Sequence, residues 1–297
     1  MRDLRDFSVG EWARLLPLQH AFKQVRNDLV LHAYQRRPAA GEAAFIAQCA
    51  ALSGTSIGLI VAFEQPWALD WLLAMARRNV RNCTLLVFDN SRRESARADI
   101  AAVCARHGAP YLALPSNRTR HVNRSHGMAM SWVYERIVRA LEPETFGFLD
   151  HDLIPVVPLD MRERIGTQDC FGKLNDSRWS WQLWAGYCFY RYARVRALPM
   201  NFLYDFSRGL DTGGRNWPWL YRRLARDTLR FAASDYLELC LPATGERRTV
   251  EVVDERWLHI GGVSYNNNFA AKQAFIEGIA AALAEGTPWS ALLPAQG

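Results

Sequence analysis

No C-x-x-C pair occurs in the chain, no apolar run approaches the roughly 18 residues of a membrane-spanning helix, and no block of like charges interrupts it. Each absence removes a class of protein. The six cysteines, Cys49, Cys83, Cys104, Cys170, Cys188 and Cys240, stand far apart, which argues against a zinc knuckle or a disulfide framework and for reduced thiols in a cytosol. The opening MRDLRDFSVGEWARLL carries acidic residues and lacks a long apolar centre, so it does not read as a secretory signal. Contact with a membrane could then come only from the side, on its inner face. The 36 basic against 30 acidic residues leave a mild net charge of +6, spread along the chain. That balance suits a phosphate-bearing ligand or an anionic membrane surface, and it lacks the basic stripe of a nucleic-acid binder.

What remains is the profile of an α/β protein. The chain has 297 residues, 49% hydrophobic and 22% charged, enough to bury a large core. Residues 11 to 52 read as two or three helices, with Trp12, Leu15 and Leu16, then Phe22, Val25 and Leu29, at helical spacing. Ser53-Gly54 breaks the pattern, so residues 1–53 are expected to form a helical extension packed on a main domain of residues 54–297, with an amphipathic membrane-contact helix as the alternative. Within that domain SIGLIVAF (56 to 63), CTLLVFDNS (83 to 91), APYLALPSN (109 to 117) and TFGFLDHD (145 to 152) read as strands. Helices from Pro66 to Val80, Ser95 to His107 and Ser125 to Leu141 alternate with them, which predicts a mostly parallel sheet covered on both faces. An alanine-rich helix is expected from Phe269 to Ala284, docked by Trp289 to Leu293, and either terminal region is a candidate surface for a homodimer.

In such sheets ligands gather at the carboxyl ends of the strands. Asp89, Asn90, Ser116 and Asn117 fall there, and so do Asp150, His151 and Asp152 of FGFLDHDLIPV. Burying an unpaired carboxylate costs several kcal/mol, and two like charges two residues apart repel. Something cationic is therefore expected between or beside the aspartates. A D-x-D at a strand end can share a divalent cation, and the cation can hold a diphosphate. For a bare D-x-D, a turn-capping Asp150 and a solvated Asp152 form the blander alternative.

Taken in order, these motifs resemble the GT-A nucleotide-sugar glycosyltransferases, most closely the family-2-like bacterial group, over about residues 55 to 269. The resemblance implies a GT-A-like, Rossmann-like fold and a metal-dependent, inverting transfer of a sugar from a UDP- or GDP-sugar to a saccharide or glycolipid hydroxyl, as in polysaccharide biosynthesis. It implies Asp89 and Asn90 near the nucleoside, Asp150 facing the ribose and metal shell, and Asp152 as direct ligand of Mn²⁺ or Mg²⁺. WLHIGGVSY (257 to 265) is similar to the late strand whose histidine reaches back to the metal, which makes His259 the third ligand, with Gly261-Gly262 beside the phosphates. WQLWAGYCFYR (181 to 191) is similar to the small-residue turn and strand that floors the acceptor pocket. In FSRGLDTGGRNWPWLYRR the resemblance makes Asp211 the base, ahead of a helix from Trp217 to Arg226, with Asp235 and Asp254 as fallbacks. Arg118, Arg120 and Arg124, before the long helix, are expected to neutralise the leaving diphosphate. Trp179, Trp181, Trp184, Trp217 and Trp219 are dense on the expected acceptor side, where they either stack on sugar or pack the core. Two other classes stay open: a D-x-D phosphohydrolase of the haloacid dehalogenase type, whose nucleophile strand is normally the first of its core, and a non-catalytic binding protein on a degenerate transferase fold.

Overall fold

A computed structural model describes residues 1–262 and 272–293. The chain opens with three helices, α1 (Val9–Ala13), α2 (Leu16–Gln35) and α3 (Glu42–Gln48). It continues through β1 (Ser56–Ala62), α4 (Pro66–Asn79), β2 (Val80–Arg81), β3 (Thr84–Asp89), α5 (Glu94–His107), β4 (Tyr111–Ala113) and α6 (Val122–Val133). A π-helical turn over Tyr134–Val138 leads into α7 (Arg139–Leu141) and then β5 (Thr145–Leu149). Next come β6 (Leu153–Pro155), β7 (Leu159–Asp160), α8 (Met161–Ile165), β8 (Cys170–Ser177), β9 (Ser180–Arg191) and α9 (Tyr192–Val195). The last elements are β10 (Ser234–Cys240), β11 (Arg247–Val253), β12 (Trp257–His259) and α10 (Gln273–Ala284).

The central sheet has six strands in the order β4-β3-β1-β5-β9-β8. The first four run parallel, β9 runs antiparallel to β5, and the edge strand β8 runs antiparallel to β9 and so returns to the common direction. Every residue of β1 is buried, as expected of a strand covered on both faces. Its side chains alternate between two apolar layers: Ile57, Leu59 and Val61 join the layer that contains Trp132 of α6, whereas Ile60 and Ala62 join the layer that contains Leu69 of α4 and Ile100 of α5. The expected mixed α/β class with a mostly parallel central sheet flanked by helices is therefore the observed one.

Three segments differ from expectation. The third strand shrinks to Tyr111–Ala113 because Pro110 and Pro115 bracket it and neither has an amide to give the ladder. The helix before β5 starts three residues earlier than expected, where the His121 imidazole accepts from the Arg124 amide. No helix spans Trp217 to Arg226; short 3₁₀ turns at Gly214–Asn216, Tyr221–Arg223 and Arg226–Thr228 replace it. Pro218 withholds one amide, Leu224 and Ala225 are extended, and tertiary packing of Trp217 and Tyr221 on Trp181 overrides local periodicity.

The extension also packs differently from its pattern. Phe22, Val25 and Leu29, the apolar positions of the expected extension, point outward, and α2 is held by Asn27, Leu31 and Tyr34. The Tyr34 hydroxyl donates to the Pro115 carbonyl at 3.0 Å and the Gln35 amide to the Ser131 carbonyl at 3.1 Å. At the other end, α10 buries Phe275, Ile276, Ile279 and Leu283, and the Trp289–Leu292 turn docks on the same layer. The start of that helix expected at Phe269, and the end of WLHIGGVSY, lie outside the described residues. All six cysteines are free thiols, and no described helix is long and apolar enough to cross a membrane.

Candidate metal and transfer site

β5 buries TFGFL completely and delivers Asp150 at its carboxyl end. The chain then leaves the central sheet: β6 joins a second, antiparallel sheet in the order β10-β11-β12-β6. Leu153 stands in register with His259, and the Ile260 amide donates to the Asp152 carbonyl at 3.0 Å. This crossing of the chain between sheets brings the late histidine to the early aspartates.

One ligand atom each from Asp150, Asp152 and His259 lies within 4.8 Å of the others. His259 Nε2 is 3.8 Å from Asp152 Oδ1. Its Nδ1–H donates to Glu251 Oε2 at 2.5 Å, which fixes the tautomer and turns Nε2 toward the aspartates. Glu251 is itself held by Lys173 and by the Ser234 hydroxyl at 2.6 Å. Burial opposes its ionisation, but the bonds from His259, Lys173 and Ser234 keep its carboxyl far below the ordinary range. For His259, burial alone would lower the pKa; the Glu251 bond and the charges of Asp152 and Asp150 raise it instead. The Trp184 ring lies 4.8 Å from the imidazole, between centroids, and covers it.

Asp150 shows what the cluster lacks. Burial first, and the neighbouring Asp152 charge second, push its pKa up to about 6. Two carboxylates and an imidazole with a preset lone pair form a hard O,O,N donor set, and a divalent cation there would relieve the repulsion that raises Asp150. The residues fit Mn²⁺ or Mg²⁺. Gly186 makes the fit possible: its amide oxygen accepts from the Asp150 amide at 3.0 Å, and a Cβ at that position would stand 2.5 Å from Asp150 Oδ2. The segment around it is a continuous strand, β9, in place of the turn expected at Ala185-Gly186.

Asp211 belongs to the same neighbourhood, since its charge acts on both Asp150 and His126. It is exposed, and its Oδ1 accepts from the Asn123 side chain and from the Thr212 amide at 2.7 Å. His126 was not anticipated. It projects from α6 with Nε2 3.8 Å from Asp150 Oδ1, and burial pulls its pKa down to about 4. Asn123 and His126 sit three residues apart on one helix face, a spacing present in NRSHG that marks them as partners of one site.

Other expected residues go elsewhere. Asp89 is completely buried, with its oxygens taken by the Ser91 amide at 2.7 Å and the Tyr111 hydroxyl at 3.0 Å, so it organises the end of β3 and does not face an open cleft. Asn90 is buried too and ties that strand end to Ser125 of α6 at 3.1 Å. Arg124 is about 200° around α6 from His126 and donates to Asn27 of α2. Arg118 and Arg120 line a cavity with it beside α2, whose lining does not include Asp150 or Asp152. The fallback base Asp254 is buried in an ion pair with Arg164 and accepts from the Tyr187 hydroxyl at 2.8 Å. Asp235 lies exposed on the outer strand β10. Of the tryptophans, Trp181 and Trp217 pack in the core, Trp184 covers His259, and Trp179 and Trp219 remain exposed.

No protein-family model matches the chain, and no curated protein matches it in sequence. Among solved structures it is similar to a mannosyltransferase from Pyrobaculum calidifontis in complex with GDP-Man and Mn²⁺, at 9% identity and a TM-score of 0.35, over 64% of this chain and 58% of that one. It is similar to glucosyl-3-phosphoglycerate synthase from Mycobacterium tuberculosis in complex with Mn²⁺ and UDP-glucose, at 17% identity and a TM-score of 0.30, over 46% of this chain and 49% of that one. S. aureus TarS matches at 13% identity and a TM-score of 0.33, over 50% and 30% of the two chains. The matched region thus spans 58% or less of each of these structures.

Proposed function

We propose that the chain is a metal-dependent, inverting glycosyltransferase that moves a sugar from a nucleoside-diphosphate donor to a hydroxyl acceptor. The observation that carries this reading is the convergence of Asp150, Asp152 and His259 within 4.8 Å at the carboxyl edge of a parallel sheet, the place where such sheets receive nucleotides. Asp152 and His259 hold the cation, with Asp150 beside them; when bound, the cation neutralises the charge that develops on a diphosphate leaving group.

The remaining residues divide the work. Glu251 locks the imidazole of His259 in its ligating tautomer. Asp211 removes the proton of the acceptor hydroxyl: Asn123 and the Thr212 amide hold one oxygen, and the side chain is exposed. His126, neutral at pH 7 because burial lowers its pKa to about 4, adds no positive charge to compete with the cation. Trp184 shields the imidazole from water.

Calorimetric titration with UDP-glucose and GDP-mannose tests the proposal. Binding is expected only with Mn²⁺ or Mg²⁺ and is expected to vanish in Asp152→Asn. Asp211→Asn is expected to keep binding while release of the nucleoside diphosphate falls by about 10²- to 10⁴-fold. Absence of binding to either donor with Mn²⁺ present, or unchanged metal-dependent binding in Asp152→Asn, overturns it.

A further inference from the structure

Helix α2 is turned inside out relative to an ordinary surface helix. Its inner face is fixed by Asn27, Leu31 and Tyr34, while Leu18, Phe22, Val25 and Leu29 stand outside at 58%, 69%, 59% and 66% exposure. Those four follow i, i+4, i+7, i+11 and form one stripe. Leu15 extends it, and Trp12 and Val9 of α1 are also exposed. Most of the large apolar side chains that the described residues expose are therefore gathered in the first thirty positions, and a contiguous apolar face of this kind marks a contact surface.

Charge decides what covers it. Lys23 and Arg26, on one flank of the helix, and Arg14 and Arg36 at its ends are all exposed. The single acid on α2, Asp28, pairs with Arg215 of the main domain. Next to the stripe, Val30 and Ala33 share a cavity of about 550 Å³ with Arg37, Arg118, Arg120 and Arg124. A second copy pairing through this helix about a two-fold axis would set cationic rim against cationic rim. An anionic bilayer offers the complement to both features, acyl chains for the stripe and phosphates for the rim. We infer that α2 lies in the plane of an anionic lipid surface, with Leu18, Phe22, Val25 and Leu29 in the acyl boundary and the arginine cavity on the headgroups. This holds whatever the site at Asp150 does.

Flotation of the full chain with vesicles tests it. The protein is expected to float with vesicles of equal parts phosphatidylglycerol and phosphatidylcholine, to stay behind with phosphatidylcholine alone, and to release in high salt. Phe22→Ser with Leu29→Ser, and separately Lys23→Ser with Arg26→Ser, are expected to weaken binding about tenfold or more, with melting temperatures unchanged because these side chains leave the core untouched. Failure to float with anionic vesicles, equal binding to neutral ones, or a wild-type dimer that the Phe22/Leu29 variant turns into a monomer would each refute the inference.

Discussion

The imidazole of His259 and the carboxylate of Asp152 lie 3.8 Å apart although they come from widely separated segments of the chain. Register does this: β12 pairs with β6 so that His259 stands opposite Leu153, the residue after Asp152. Everything proposed for the site depends on that pairing.

Glu251 reaches neither aspartate, yet it orients the ligand. Glu251→Gln keeps the shape and removes the charge that Nδ1–H meets. The expected outcome is a loss of 10- to 100-fold in Mn²⁺ affinity, measured by titration calorimetry, with a circular dichroism spectrum like that of the unaltered protein.

Gly186→Ala tests the space beside Asp150. The added Cβ would meet Asp150 Oδ2 at 2.5 Å and the Trp184 ring at 2.4 Å. One of them has to move, at a cost of about 1–3 kcal/mol. Thermal melts are expected to show that destabilisation, and Mn²⁺ is expected to restore less of it than in the unaltered chain.

The contribution of Asp150 to stability should run in opposite directions with pH in the metal-free and the metal-loaded protein. Asp150 has a folded-state pKa raised from the ordinary 3.8 to about 6. Between those values the folded state binds more protons than the unfolded one, so stability falls as pH rises through about 6. Mn²⁺ requires the deprotonated carboxylate, so its stabilising effect grows as pH rises through the same range. Melting temperatures from pH 4 to pH 8, with and without Mn²⁺ and each compared with Asp150→Asn, check both signs and remove the opposite contribution of His126, whose pKa burial lowers to about 4.

Asp254→Ala separates a structural carboxylate from a catalytic one. It strands Arg164 and the buried Tyr187 hydroxyl, and loss of one partner of a buried pair costs about 3–5 kcal/mol. A large drop in denaturant midpoint is expected, whereas Asp211→Asn, at an exposed position, is expected to leave the midpoint nearly unchanged.

The alternation of buried strands with helices was legible in sequence because both faces of β1, β5 and β3 from Leu86 onward are covered, and such strands must be continuously apolar. Asp150 and Asp152 were legible for the same reason, as charges ending a buried run. Arg118 and Arg124 misled because position along the chain says which loop a residue occupies and nothing about which side of a helix it faces; Arg124 turns to α2 and His126 to the site. The helix expected after Trp217 failed where packing on Trp181 outweighed a marginal local preference.

Sequence by itself determined the class of fold and the two aspartates, since local burial writes itself into local composition, and the resemblance added His259, the third candidate ligand. Tertiary structure alone decided that Glu251 and His126 join them, that Asp89 and Asn90 serve the framework, and that Phe22, Val25 and Leu29 face outward. Helical spacing reports that one face is apolar; which face meets the protein depends on contacts such as Asn27 with Tyr204 and Tyr34 with Pro115, made across long separations of the chain.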